Sequence, residues 1–324
     1  MKKILVTGSS GFIGTNLVST LLKTEEYNVL GLDLVSPKIA EHNRIWKQVD
    51  IRNKDTLLEH VKDFNPTIIV HLAARTDLNG KTIEDYNSNT VGVSNLVEVL
   101  EELKLVETVI FASSMYVCEP GYTPIDFTDY KPHTIYGESK VITEKIIKKK
   151  NPDYNWVIIR PTSIWGPYFG EPYDLFFKIV LSHKYFHMGD RACKKTYGYI
   201  DNFIYQIVAL INADKNDINK KTFYLGDYEP YDITSWANEI AKYKQIKIPK
   251  IPFFLFKIAG FFGDFLKLVG VKFPMSSFRL KNMTTDNFFD LSDIKKITGG
   301  LPVSRKDGVR ITVDWMIDNK FNNR

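Results

Sequence analysis

A doubly wound parallel α/β sheet is the fold class this sequence predicts, on three observations. Short apolar runs alternate with stretches of helical period through the first half of the chain. A glycine-rich turn follows the first run, and the alternation decays after Arg160 into a remainder rich in Pro and Gly. The 324 residues are 44% hydrophobic and 25% charged, which suits one large or two modest globular domains. That composition excludes disorder, collagen and coiled coil.

The buried strands are expected at Ile4–Val6, Val29–Asp33, Ile68–His71, Val109–Ser113 and Val157–Arg160. Helical periodicity lies between them, over Asn16–Leu22, Thr56–Asp63, Val91–Leu103 and Ser139–Lys149. Pro161, Gly166, Pro167, Gly170 and Pro172 then mark the departure from the sheet. Thr222–Leu225 reads as a strand returning to it. The larger domain is therefore expected over residues 1–165 plus the returning strand near 222–226. Residues 166–221 and 227–324 would form a smaller, discontinuous C-terminal domain over the strand ends. A cleft would lie between the two, where sheets of this kind bind ligands.

The formal net charge is +5, and its densest run, Lys148-Lys149-Lys150, reads as a solvated helix end, so no nucleic-acid partner is expected. Two cysteines, Cys118 and Cys193, cannot build a disulfide framework or a four-ligand zinc site, so no metal is expected. Ile4-Leu5-Val6 is too short for the apolar core of a signal peptide, and a cytoplasmic protein is expected. Residues 251–271 are the most apolar stretch, but Lys257, Gly260, Gly263, Asp264, Lys267 and Gly270 interrupt it. A membrane span is not expected there. Burial in the small domain or a subunit contact is the expectation, ahead of binding at a membrane interface.

Thr7-Gly8-Ser9-Ser10-Gly11-Phe12-Ile13-Gly14 follows the first strand and opens the first helix, the setting of a dinucleotide fingerprint. Gly8 would permit the tight turn, Gly11 would admit a pyrophosphate, and Gly14 would let the helix pack closely. The helix N-terminus adds N–H donors and positive dipole. Asp33 ends the second strand, 19 residues after Gly14, where an acid bonds a ribose diol and repels a 2′-phosphate. The fold is thus Rossmann-type and the cofactor NAD. Asp50-Ile51 could meet the adenine or start a helix. Leu72-Ala73-Ala74 would let the fourth strand's end pass close to the dinucleotide.

Tyr136-Gly137-Glu138-Ser139-Lys140 sets a phenol and an ammonium on one helical face. The Lys charge and a positive nicotinamide ring would both lower the phenol's pKa, fitting Tyr136 to take a proton from a substrate hydroxyl. Ser113-Ser114 ends the fifth strand at the same sheet edge, where a hydroxyl can hold the reacting oxygen.

Taken together, these residues resemble the extended short-chain dehydrogenase/reductases that act on nucleotide sugars. The resemblance adds Asn89-Thr90-Val91-Gly92, Arg160-Pro161, Gly166-Pro167 and Arg279 followed by Asp290-Leu291-Ser292. It implies a Rossmann domain with a small substrate domain, a homodimer, and Ser114, Tyr136 and Lys140 as catalytic triad. By the same resemblance Asn89, Ser113 and Pro161 would join the cofactor site. Arg279 would grip the substrate pyrophosphate, with Arg75 a second candidate cation unless it pairs with Asp77. Ser163 stands where epimerases often carry an Asn at the diphosphate, and Lys195 where many carry an Arg.

Met115 and Tyr116 occupy positions where the 4,6-dehydratases carry an Asp-Glu pair. The decarboxylases have Glu at the place of Tyr116, and fucose-forming epimerase-reductases have Cys at the place of Met115. What remains is chemistry needing the triad and NAD alone. Epimerisation of a nucleotide sugar by transient oxidation, at carbon 4, is the leading expectation. A dehydrogenase or 4-ketoreductase of a nucleotide sugar or hydrophobic hydroxy compound is the second, and a non-catalytic NAD-binding protein the third.

Overall fold

The computed structural model describes residues 1–321 apart from positions 104, 269, 270, 272 and 274. Gly270, one of the interruptions read from the sequence, lies outside the described residues. Seven strands form one parallel sheet: β1 (Lys2–Thr7), β2 (Tyr27–Asp33), β3 (Trp46–Gln48), β4 (Ile68–His71), β5 (Thr108–Ala112), β6 (Asn155–Pro161) and β7 (Lys221–Leu225). Their order across the sheet is β7-β6-β5-β4-β1-β2-β3, every neighbouring pair being parallel. The chain thus builds outward in both directions from β1 and β4, and the crevice between those two strands is the switch point.

Alternation within the strands explains the layers. Ile4 and Val6 of β1 join one apolar core with Leu17, Val18 and Leu21 of α1 (Phe12–Leu21). Leu5 points the other way, into a core with Leu57 of α2 (Lys54–Phe64) and Leu96 of α3 (Asn87–Glu101). Helix α4 (Ile135–Lys150) packs beside α3. Its start is fixed by Thr134, whose hydroxyl accepts from the Gly137 N–H at 3.0 Å. It ends at Asn151 in the left-handed region, with Lys148, Lys149 and Lys150 in its last turn. The lysine run is indeed a helix end.

Beyond β6 the chain forms α5 (Leu175–Leu181), α6 (Ile200–Asn212), α7 (Ile233–Lys242), α8 (Phe253–Leu268), α9 (Ser277–Thr284), α10 (Ser292–Thr298) and α11 (Arg305–Met316). Helix α6 lies against α1 and carries the crossover from β6 to β7. It therefore belongs to the layers of the sheet, inside a stretch the sequence reading placed in the smaller domain. The smaller part is held by aromatic stacking around Trp165, whose ring lies 5.3 Å from Trp236 and 4.9 Å from Tyr199. That cluster continues the core of the sheet's α1 face, so one core serves both parts.

Within the apolar stretch, Phe253–Leu268 form α8, and Phe254, Ile258, Phe261 and Phe265 on its outer face are 57–76% exposed, so that face is not buried in the small domain. The covered face is the glycine face, because a side chain at Gly263 would lie 1.7 Å from the Met275 carbonyl. The apolar composition of the stretch did not reveal which side the protein covers. Among the described residues no helix is long and apolar enough to cross a membrane.

Candidate active site

A cavity of about 400 Å³ opens at the carboxyl ends of β1, β4, β5 and β6. Its floor is the glycine-rich turn. Gly8 has φ +72°, and a Cβ there would lie 2.6 Å from the Ala73 nitrogen. A Cβ on Gly14 would lie 2.0 Å from the Gly8 carbonyl oxygen. Both positions thus demand glycine, one for the turn and one for the close seating of α1. No side chain caps α1 at Gly11, and no acid occupies its first turn, so its leading N–H groups and positive dipole face the cavity.

Asp33, at the end of β2, accepts from the Ser10 N–H at 2.9 Å and the Val35 N–H at 3.2 Å. Those bonds hold its carboxylate at the edge of the same cavity. Gly11, Phe12, Ile13, Asp50, Ile51, Leu72, Ala73, Ala74, Ser113 and Pro161 also line it. The Asp50 carboxylate is clamped by Arg52 at 2.6 Å, which holds it below the usual carboxylate range. A glycine cradle, an open helix N-terminus and an acid at the second strand's end fit a dinucleotide with free ribose hydroxyls.

Asn89 does not line the cavity. It is fully buried, and its amide bonds the Arg75 backbone in both directions, at 2.8 and 3.0 Å, and Ser139 Oγ at 2.9 Å. It ties the loop after β4 to α4, a placement its sequence neighbourhood could not reveal. Ser113 lines the cavity, but its hydroxyl donates to Glu144 at 2.6 Å.

Ser114, Tyr136 and Lys140 meet at one wall. The Ser114 hydroxyl accepts from the Tyr116 N–H at 3.1 Å and lines the same wall as the Tyr136 phenol. Lys140, buried one helical turn after Tyr136, donates to the Ala112 carbonyl at 2.9 Å. Burial pushes its ammonium down to about 8, with the Glu144 charge opposing. The sequence reading expected Lys140 to lower the phenol. Instead burial dominates and raises Tyr136, followed by the neighbouring Tyr173, while the nearby Ser114 hydroxyl pulls it down. The phenol is therefore protonated at neutral pH.

Sequence reasoning missed three supports. Tyr116 and Tyr173 line the cavity beside Tyr136, and the Tyr116 ring lies edge-on to it at 6.1 Å. Glu144 continues the four-residue stripe of Tyr136 and Lys140 and forms a fully buried pair with Arg160 at 2.8 Å. That stripe was the available signal. His71, at the end of β4, bonds Thr7 Oγ1 at 2.8 Å, and burial and then the Lys140 charge push it down to about 3. It is a neutral, buried support behind the site, not an acid.

The expected substrate cations are divided. Ser163 and Arg75 line the cavity, but Arg75 pairs with Asp77 at 2.7 Å and donates to the Asp85 carbonyl at 2.9 Å. Lys195 and Arg279 are not among the lining residues. Lys195 Nζ donates to the Asn282 carbonyl at 2.6 Å, on the helix that carries Arg279. Among the described residues no group of acids, histidines or cysteines could hold a metal ion.

The profile of the NAD dependent epimerase/dehydratase family matches residues 4–226. The chain belongs to that family. It is therefore an NAD-dependent enzyme of the extended short-chain dehydrogenase/reductase type. The N-acetyl-alpha-D-glucosaminyl-diphospho-ditrans,octacis-undecaprenol 4-epimerase of Escherichia coli O157:H7 is 24% identical over 323 residues, covering 96% of this chain and 94% of its own. A 3-beta-hydroxysteroid dehydrogenase of Mycolicibacterium neoaurum is 27% identical over 267 residues, 77% of this chain and 72% of that one. The fold matches that of UDP-glucuronic acid 4-epimerase from Bacillus cereus, solved with UDP-glucuronic acid and NAD. The TM-score is 0.75 at 23% identity, over 98% of this chain and 99% of that one.

Proposed function

We propose that this family member is a nucleotide-sugar 4-epimerase. One observation carries the reading: Ser114, Tyr136 and Lys140 share a cavity wall with no carboxylate at positions 115 and 116. Elimination and decarboxylation in this setting need such an acid, whereas proton transfer at a sugar hydroxyl does not. To take that proton Tyr136 must be phenolate, the form that the Lys140 charge and the positive ring of bound NAD would favour, and taking it restores the phenol while Ser114 holds the same oxygen. The chemistry NAD supplies when bound is reversible acceptance of a hydride from the sugar carbon, with return to the opposite face. Tyr116 and Tyr173 keep water from the phenol. Two buried cysteines without a disulfide suit a cytoplasmic setting, and the homodimer common in the family completes the reading.

The substrate test is thermal stabilisation by UDP, GDP, CDP and dTDP, since a ligand at 100 times its Kd adds about 2.7 kcal/mol. One of these should raise the Tm, and Arg279→Ala should weaken it about tenfold while sparing NAD, because a guanidinium grips phosphates bidentately. The reaction test is interconversion of the C4 epimers of the matching sugar by protein that retains its NAD. Stoichiometric production of free NADH would favour a dehydrogenase instead. A second reading, a diphospho-sugar carried on a lipid, is favoured by the exposed aromatic face of α8. Faster turnover of a polyprenyl-diphospho-sugar than of any nucleotide sugar would select it.

A further inference from the structure

The outer face of α8 is an aromatic surface that the other described residues leave exposed. Phe254, Ile258, Phe261 and Phe265 recur at steps of four, three and four residues, with Leu255 and Phe262 beside them. All six are exposed, Phe261 by 76%. The arrangement is built in. Gly260 and Gly263 face inward, where side chains would approach Ser277 and Met275, so the bulky residues share the outer side. A continuous apolar face of this kind on a soluble protein marks a docking surface.

Charge identifies what it docks on. Residues 242–281 contain nine Lys or Arg and one acid, Asp264, for a net +8. The whole chain is +5, so the other 284 residues together are net −3. Lys247 and Lys250 precede the helix and are exposed, Lys250 pairing with the exposed Asp190, and Lys257 flanks the aromatic stripe. The guanidinium of Arg191 sits 4.2 Å from the Phe253 ring at the helix start. A second copy docking through the same face would set one +8 segment against another, a like-charge contact. An anionic surface with an apolar interior complements both features at once.

We propose that α8 docks in the interface of an anionic lipid bilayer, lying in its plane. The aromatic stripe enters the boundary between headgroups and acyl chains, and the flanking lysines meet lipid phosphates. The helix need not cross the bilayer, and the cavity keeps its own access. The assignment stands whichever substrate the cavity takes.

The experiment is sedimentation of the full chain with phosphatidylcholine vesicles, with and without about 30% phosphatidylglycerol. Wild type should bind the anionic vesicles and release in about 0.5 M salt, where charges are screened. Phe261→Asp with Phe265→Asp should lower the partition coefficient about tenfold or more, with NAD binding and turnover of a soluble substrate unchanged. A fluorophore on Phe261→Cys should brighten on vesicle addition, a readout that holds even if the double variant misfolds. Absence of both sedimentation and brightening would overturn the proposal. So would an aspartate variant that still binds vesicles, or one that turns a wild-type dimer into a monomer while vesicle binding is absent throughout.

Discussion

Lys140 donates to the Ala112 carbonyl at 2.9 Å, mooring α4 to the last residue of β5. Tyr136 stands one turn earlier on the same helix and faces the same cavity as Ser114, two residues beyond Ala112. The sheet edge and the helix start therefore hold the three side chains in register.

Tyr136→Phe keeps the packed ring and removes the hydroxyl. Turnover should fall about 100-fold or more, with the Kd for NAD nearly unchanged. Retention of a tenth of wild-type turnover would exclude Tyr136 as the proton acceptor.

Burial holds the Lys140 ammonium near about 8, below its ordinary 10.5. Between those values the unfolded chain binds more protons than the folded one, so wild-type stability gains with pH across that window. The cost of the buried charge is full below pH 8 and absent above 10.5. Lys140→Met lacks this titration. In dinucleotide-free protein, the Tm of the variant minus that of wild type should decline as pH rises from 8 to 10.5. A constant difference would show that Lys140 does not titrate there.

Asp33 presents a carboxylate held by two backbone N–H groups at the edge of the cavity, where we propose that it meets the ribose of NAD. Asp33→Ser should weaken NAD about tenfold through loss of charge-assisted bonds. Adding Leu34→Arg should shift preference toward NADP, read as the ratio of the two dissociation constants. A wild type that prefers NADP would contradict the assignment.

The Glu144–Arg160 pair is fully buried at both ends. Arg160 also donates to Tyr224 at 3.1 Å and to the Phe127 carbonyl at 2.7 Å. Arg160→Met strands the Glu144 charge and should cost about 3–5 kcal/mol in chemical denaturation. Arg160→Met with Glu144→Leu should recover most of that loss. A double variant no better than the single would place the energy in the Tyr224 and Phe127 contacts.

The sheet was legible because both its faces are covered, which leaves near-continuous apolar runs. Only β3 escaped: Trp46-Lys47-Gln48 is a short edge strand, mostly exposed, without such a signature. The glycine turn was legible because sterics permit no other residue at Gly8 or Gly14. The direction of a buried polar side chain was not. Asn89, Ser113 and Arg75 all sit where expected in the chain, yet each spends its polar atoms on a protein partner. Partners such as Glu144 for Ser113 and Ser139 for Asn89 are fixed by tertiary distance, to which periodicity is blind, whereas Asp77, two residues from Arg75, was the partner the sequence offered. The same blindness left the outward face of α8 unassigned.

Asn89 links two walls that belong to different steps of the chemistry. Its amide fastens the loop beyond β4, beside the dinucleotide groove, to Ser139, inside the turn that joins Tyr136 to Lys140. Loop and helix are thereby braced before any ligand arrives, so little reorganisation is left for the reaction itself. The bracing also separates two kinds of variation. Substitutions elsewhere along the cavity should spare the alignment of Tyr136 and Lys140, whereas any that loosen Asn89 should disturb the loop and the helix together. A library aimed at new substrates should therefore vary residues around Ser163 and Tyr173 and leave position 89 alone.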